Sequence, residues 1–142
     1  MNLARAIAQL ARARPTQPAL TFRGATLTYA ALWHRTVALM HALRARGVAP
    51  GQRVGVALGD HPAHVMSFFA LAGLGAVLVP VDKRWSPSER HAALSTFDVS
   101  LLLVDEDDDS DGPYPVMSLP ADGVAPELEF QTIDLTEYDD AP

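Results

Sequence analysis

Three short apolar runs, separated by longer segments with helical patterns, most constrain what this 142-residue chain can fold into. The runs cover residues 54–58, 76–81 and 99–104, and none of them alternates apolar with polar residues. Strands without alternation are covered on both faces, which is typical of parallel sheets in α/β proteins. Because helical segments alternate with these strands, we predict right-handed crossovers and a partial doubly wound, mostly parallel sheet flanked by helices.

The first fifty residues are predicted to form two helices and a small hairpin. Apolar residues recur at helical spacing at the start of the chain: Leu3, Ile7, Leu10 and Ala11. This spacing favours an amphipathic helix over a transit peptide, although the segment is rich in Arg and free of acids. The β-prone runs 19–22 and 25–27 flank an Arg-Gly pair, which indicates a hairpin. Thr28 is placed to cap the second helix.

Two further helices have clear boundary signals. Pro62 can occupy the first position of a helix, where its missing N–H costs no hydrogen bond, and we expect Gly75 to close that helix. The helix is apolar nearly all round and should be buried. Ser86 and Glu89 have the spacing of a capping box at the start of the next helix. A weaker strand is predicted over 115–119.

The character of the chain changes after residue 105. Residues 106–142 are acidic and contain several prolines, so we expect less regular structure there. We therefore divide the chain into an α/β subdomain over 1–105 and an acidic, proline-containing extension over 106–142. The strands need helices above and below, and only about four helices are predicted. We therefore expect an exposed apolar face and self-association.

Composition excludes several classes of protein. The net charge is −6, which argues against nucleic acid as the main partner, because such binders carry a basic surface. There is no Cys, so disulfides, thiolate metal sites and cysteine nucleophiles are excluded, and a reducing cytoplasm is the expected compartment. No apolar run approaches the roughly 20 residues that a membrane span requires.

The acidic stretch after residue 104 suggests a calcium site, but a solvated loop explains it better. Asp107, Asp109, Asp111 and Gly112 match the opening of an EF-hand loop. However, the twelfth position is Ser118 instead of Glu, and a predicted strand precedes the loop where a helix should stand. Runs of like charge usually repel one another and extend into solvent.

Two other polar pairs have residue types that ligand sites use. His61 and His64 lie three residues apart at a helix start, but no third metal ligand is near them in sequence. Arg84 and Trp85 follow a strand, at the edge of an α/β sheet where ligands bind. A structural role explains each pair more simply, so we assign no catalytic, cofactor-binding or metal-binding residue to the chain.

Several stretches resemble the adenylate-forming superfamily, which includes acyl-CoA synthetases, luciferases and peptide-synthetase adenylation domains. Residues 27–32 (LTYAAL) resemble its first core motif, and residues 71–82 (LAGLGAVLVPVD) resemble the second. Residues 47–54 (GVAPGQRV) are similar to a passage that ends in Gly-Asp-Arg-Val, with Gln52 where Asp is usual. Residues 84–89 (RWSPSE) match the helix start that follows. The likeness covers about residues 1–105 in the family's order.

The resemblance implies the N-terminal subdomain of an AMP-forming acyl-CoA ligase. Such an enzyme converts a carboxylic acid and ATP to acyl-AMP and then to a CoA thioester, so ATP, Mg²⁺ and CoA are expected for the complete enzyme. The family's phosphate loop, adenine-stacking motif, ribose-binding Asp and C-terminal lysine have no match here, and residues 138–142 resemble the lead-in to that loop. We therefore expect this chain alone to be inactive and to need the downstream core and C-terminal domain.

Two alternatives remain open at this point. A non-catalytic α/β binding or scaffold module could keep the subdomain without the chemistry. An adenylation domain that loads a carrier protein would share the same N-terminal motifs. The acid substrate is not readable from these residues.

Overall fold

The computed structural model describes residues 2–109 and 112–121. Ten elements follow one another within these residues: α1 Leu3–Ala13, β1 Pro18–Phe22, β2 Ala25–Thr28, α2 Tyr29–Ala45, β3 Arg53–Ala57, α3 Pro62–Leu74, β4 Val77–Pro80, α4 Pro87–Thr96, β5 Leu101–Asp105 and β6 Val116–Leu119. The order agrees with the predicted one, and the predicted strand bounds differ from the observed ones by one or two residues.

The main sheet is parallel and has the strand order β4-β3-β5-β6. β1 and β2 form the predicted antiparallel hairpin, separate from this sheet. The chain leaves β3 towards one edge to form β4, and then crosses to the other side of β3 to form β5. The predicted α/β architecture, a parallel sheet flanked by helices with a small hairpin, is therefore confirmed.

One of the three apolar runs is not buried as predicted. β4 is an edge strand that pairs with β3, and its first residue, Val77, is 46% exposed. Pro80 is also exposed, and the edge tolerates its missing N–H. The prediction that residues 76–81 are covered on both faces is thus wrong, because an apolar run does not reveal its place in the strand order. β3 and β5 are central and buried, as expected.

Helices cover the two faces of the sheet unequally. α1, α2 and α3 share one large apolar core with residues of β3, β5 and β6. On the opposite face, α4 contributes Leu94 to a smaller core that contains Ala57, Leu102 and Val104. The second face therefore has much less helical cover than the first.

Small residues allow α1, α2 and α3 to approach closely. A Cβ on Gly73 of α3 would lie 2.5 Å from Cε of Met40 and 3.1 Å from Cβ of Ala4. Asn2 caps α1 through the N–H of Ala4, and its side-chain amide donates to the carbonyl of Ala72 at 2.7 Å. The first helix is thus fixed to the end of α3 as well as packed on it.

The predicted helix boundaries are present. The Thr28 hydroxyl accepts from the N–H of Ala31, and Ser86 and Glu89 form a reciprocal capping box. Gly75 ends α3 with φ of 68°, the left-handed conformation that suits glycine. These signals are local in sequence, which explains why they could be predicted.

The sheet continues into the acidic segment that begins at residue 106. β6 pairs in parallel with β5, and the carbonyl of Ala121 accepts from the N–H of Ala63 in the first turn of α3. Asp111 and residues 122–142, including the proposed lead-in at 138–142, lie outside the described residues. Among the residues that are described, no helix is long and apolar enough to cross a membrane.

Candidate functional site

The carboxyl ends of three parallel strands meet at one edge of the sheet, where open α/β sheets bind ligands. β3 leads into the loop that carries Gly59 and His61, β4 leads into the loop that carries Lys83, and β5 ends at Asp105. Residues far apart in sequence are therefore brought together at this edge.

Asp105, the last residue of β5, is bonded to both of these loops. The backbone N–H of Gly59 donates to both of its carboxylate oxygens, at 3.2 and 3.1 Å. His61 Nε2 lies 2.5 Å from Oδ1, and Lys83 Nζ donates to Oδ2. The Asp105 carboxylate accepts, so Nε2 of His61 carries the proton of that hydrogen bond. The result is a buried anchor for the loops after β3 and β4.

The charges within this cluster stabilise one another. Burial acts to raise the pKa of Asp105, but hydrogen bonds from Lys83, His61 and Gly59 outweigh it and hold the pKa below its usual value of 3.8. The hydrogen bond to Asp105 raises the pKa of Lys83 above its usual 10.5. Asp105 is therefore anionic and Lys83 cationic at neutral pH.

A cavity of about 530 Å³ opens beside the cluster. Its lining contains Lys83, Trp85, Pro87, Arg90, Asp107, Asp108, Asp109 and Tyr114. Arg90 Nη1 pairs with Oδ2 of Asp108 at 3.2 Å, and both side chains are more than nine-tenths buried. Trp85 is 38% exposed, and the ring of Tyr114 stacks against His91. The cavity thus combines aromatic walls with charges of both signs.

Of Arg84 and Trp85, the pair that follows β4, the structure places Trp85 at the cavity. Arg84 instead turns back to Asp82, with Nη2 and Oδ2 2.8 Å apart, and its side chain is 89% exposed. The hydrogen bonds from Arg84 lower the pKa of Asp82 to about 2. Arg84 is therefore engaged in an exposed ion pair with Asp82, while Trp85 borders the candidate site.

The two histidines are engaged separately. His61 bonds to Asp105, whereas His64 Nδ1 donates to the carbonyl of Gly59 at 3.1 Å and its ring stacks on Phe68. Nothing in this geometry brings them together as a metal-ligand pair.

The acidic loop is also partly engaged, since Asp108 is paired with Arg90. Within 2–109 and 112–121, no group of three His, Cys, Asp or Glu side chains is arranged to hold a metal ion. Asp111, the third acid of the EF-hand match, lies outside these ranges.

Sequence analysis did not find the cluster around Asp105. Lys83 and His61 lie 22 and 44 residues from Asp105 in sequence, and the three residues share no motif. A usable signal was present, because each polar residue follows the end of an apolar run, and such ends meet at one edge of a parallel sheet. Nothing in the sequence marks Arg90 as a buried residue of the site, because an Arg within a helix is ordinarily exposed.

The sheet, the helices on both faces and the polar edge place the chain in the doubly wound class of α/β proteins. The profile of the AMP-binding enzyme family matches residues 7–139. The chain therefore belongs to the AMP-binding, adenylate-forming enzymes that its motifs resemble.

The curated relatives that match this chain are much longer than it is. Feruloyl-CoA synthase from Amycolatopsis sp is 40% identical over 93 residues, which are 66% of this chain and 19% of that protein. The fatty acid–[acyl-carrier-protein] ligase ScoC from Streptomyces coeruleorubidus is 38% identical over 98 residues, 68% of this chain and 19% of that protein. The matched stretch thus spans about a fifth of these relatives.

Solved structures share the fold. The N-terminal subdomain of NpsA from Klebsiella oxytoca, in complex with 3-hydroxybenzoyl-AMSN, superposes with a TM-score of 0.74 at 24% identity. The superposition covers 82% of this chain and 30% of the NpsA chain. O-succinylbenzoate coenzyme A synthetase (MenE) from Bacillus subtilis, in complex with AMP, superposes with a TM-score of 0.74 at 23% identity. That superposition covers 79% of this chain and 30% of the synthetase chain. At these identities the likeness concerns the fold alone.

Proposed function

We propose that this chain is the N-terminal part of an AMP-forming ligase that activates a carboxylic acid with ATP and transfers the acyl group to CoA. The observation that carries the proposal is the family match over residues 7–139. The 40% identity to a feruloyl-CoA synthase supports CoA as the acceptor. The absence of Cys supports a cytoplasmic enzyme.

The described residues do not fit the phosphates of ATP or CoA. At the carboxyl edge, the cations Lys83 and Arg90 are paired with Asp105 and Asp108, and Asp107 adds further negative charge. A phosphate site needs converging N–H groups and cations. We therefore assign no step of the reaction to this edge, and its role is to hold the loops of the subdomain in place.

Acyl-AMP formation needs stabilisation of charge on a phosphoryl group, which Mg²⁺, cationic side chains and loop amides supply. In our proposal those groups, together with ATP, Mg²⁺ and CoA, belong to the downstream core and C-terminal domain of the enzyme. The parallel sheet of this chain provides a rigid wall against which that core is built. Reading the coding sequence beyond Pro142 tests this division, because a Ser/Thr- and Gly-rich phosphate loop should follow.

Transfer to a carrier protein is the second candidate. It is favoured by the 38% identity to a fatty acid–[acyl-carrier-protein] ligase, which matches slightly more of the chain than the CoA synthase does. The two are separated by assaying the product of the complete coding sequence with one acid and either CoA or a phosphopantetheinylated carrier protein. A CoA thioester supports the first function, and an acylated carrier with no CoA thioester supports the second.

A further inference from the structure

The cavity at the carboxyl edge of the sheet was assigned no step of the proposed reaction. Its volume of about 530 Å³ lies within the range of small-molecule sites, roughly 300–1,000 Å³. The carboxyl ends of parallel strands are also where open α/β sheets bind ligands. The chemistry of the lining residues therefore decides what kind of molecule the cavity suits.

Two aromatic side chains line the cavity, and the structure around each of them holds it in place. Trp85 lies just before α4, where its backbone N–H donates to the carbonyl of Asp82 at 3.2 Å. The ring of Tyr114 stacks against His91, with ring centroids 6.4 Å apart. A Cβ on Gly112 would lie 2.5 Å from Cζ of Tyr114, so this glycine lets the backbone pack closely on the ring. Trp85 and Tyr114 are thus fixed aromatic walls of the cavity.

Both cations of the lining are neutralised by carboxylates of the protein. Nζ of Lys83 donates to Oδ2 of Asp105, and Nη1 of Arg90 pairs with Oδ2 of Asp108 at 3.2 Å. The Arg90–Asp108 pair is more than nine-tenths buried, so it belongs to the interior of the fold. An anionic ligand would have to compete with these carboxylates for either cation.

The cavity carries an excess of negative charge. Two further lining carboxylates, those of Asp107 and Asp109, are exposed and have no hydrogen-bond or ion-pair partner among the described residues. The hydrogen bond to Asp105 is the main cause of the raised pKa of Lys83, and the charges of Asp107 and Asp108 add to the rise. Four carboxylates therefore surround two cations at this edge, which leaves two negative charges uncompensated.

The aromatic walls narrow the class of cation that fits. Aromatic rings attract organic ammonium groups, because the face of the ring carries negative charge density. A metal ion such as Ca²⁺ needs about six to eight oxygen ligands. In the described part of the chain, no three acidic, His or Cys side chains are arranged to hold a metal ion. An ammonium group on an apolar body uses both the carboxylates and the rings.

We propose that this cavity binds a small organic cation, an alkyl- or aryl-substituted ammonium, with its apolar body against Trp85 and Tyr114 and its charge near Asp107 and Asp109. The attraction to these exposed carboxylates is screened by salt, whereas the contact with the rings is screened much less. Binding does not require the ligase activity of the complete enzyme, so it is tested without ATP and without a carboxylic acid.

The two tryptophans of the chain make the test specific. Trp85 lines the cavity, whereas Trp33 is 1% exposed in the core, so the indole N–H resonance of Trp33 is an internal reference in the isotope-enriched full chain. The probe is benzyltrimethylammonium, compared with the aryl anion benzenesulfonate and the neutral benzyl alcohol. We expect the ammonium to shift the Trp85 resonance saturably, to leave that of Trp33 in place, and to bind about five-fold more tightly than either comparison compound.

Variants of the exposed carboxylates test the electrostatic part. Asp107→Asn and Asp109→Asn should each weaken binding of the ammonium probe about two-fold, and together about five-fold, as expected for exposed charges. The matched control is Asp98→Asn, which removes one charge after the other end of α4. Asp98 has φ of 51°, a conformation that Asn tolerates. An unchanged Trp33 resonance verifies that each variant is folded, and Asp98→Asn should leave the affinity unchanged.

Four outcomes would overturn the proposal. No saturable shift of the Trp85 resonance by the ammonium probe would mean that the cavity is not a site for organic cations. Equal affinity for the three compounds would mean that it selects an aryl group without regard to charge. Tighter binding of benzenesulfonate would mean that Lys83 or Arg90 accepts anions in spite of its carboxylate partner. Equal weakening by Asp98→Asn and by the double Asn variant would mean that only the net charge of the protein matters.

Discussion

Nζ of Lys83 donates to Oδ2 of Asp105, so the loop after β4 is tied to the end of β5. The two strands are not neighbours, because β3 lies between them. This ion pair therefore spans the central strand, and with His61 and Gly59 it fixes the carboxyl edge of the sheet.

Replacing Asp105 should destabilise the fold. Asp105→Asn leaves Lys83 and His61 without their anionic partner at a largely buried position, and a loss of about 1–3 kcal/mol is expected for hydrogen bonds of this kind. The measurement is urea unfolding, with Asp82→Asn as the matched control, because Asp82 pairs with an exposed Arg. Equal midpoints for the two variants would contradict the assigned role of Asp105.

The same ion pair should make stability depend on pH in two windows. The folded pKa of Asp105 lies below 3.8, so its contribution is full above that value and is lost as pH falls through the folded pKa. The folded pKa of Lys83 lies above 10.5, so its contribution is full below that value and is lost as pH rises through the folded pKa. The stability difference between wild type and Asp105→Asn should therefore shrink towards both extremes of pH. A difference that stays constant from strongly acid to strongly alkaline pH would contradict the role of this ion pair.

Gly75 should be required for its backbone conformation. Its φ is 68°, and a Cβ there would meet Cβ of Pro50 at an ordinary 3.5 Å, so the cost of substitution comes from the backbone. We expect Gly75→Val to lose about 1–3 kcal/mol, because β-branched residues are strained at positive φ. Gly75→Asn should lose less, since Asn tolerates this conformation. The urea unfolding midpoints of the two variants measure these losses of stability. Similar losses for Val and Asn would contradict the assigned role of the positive φ.

Self-association is expected through the amino end of the sheet. Val77 begins β4, and Phe97, 51% exposed, follows α4, the one helix that covers the second face within the described residues. Val77→Thr with Phe97→Ser should therefore reduce association and hydrophobic-dye binding, measured by sedimentation at several concentrations. Phe68→Ser on α3 is the matched control, and a wild-type chain that is strictly monomeric without a dye signal would refute the prediction.

Local features of this fold could be predicted from sequence, and long-range ones could not. The capping box of Ser86 and Glu89, the cap at Thr28 and the end of α3 at Gly75 each depend on a few adjacent residues. The edge position of β4 depends on strand order, which an apolar run does not encode. The cluster around Asp105 likewise exists only because the loops after β3 and β4 meet the end of β5 at one edge.

The motifs that identified the family are also local, and it was their order along residues 27–32, 47–54, 71–82 and 84–89 that made the resemblance specific. They pack helices and turn the chain, as Gly73 does against Met40. The candidate cavity could not be predicted, because Trp85, Arg90 and Tyr114 come together only after α4 has packed on the sheet.

The most direct test of the central claim is carboxylate-dependent exchange of labelled pyrophosphate into ATP. We propose that this chain builds the N-terminal wall of an adenylate-forming enzyme whose ATP-binding groups lie downstream. We predict no exchange above a protein-free blank for the 142-residue chain with a panel of aromatic and fatty acids, and clear acid-dependent exchange for the product of the complete coding sequence. Exchange by the 142-residue chain alone, or none by the complete product with any acid of the panel, would contradict the account.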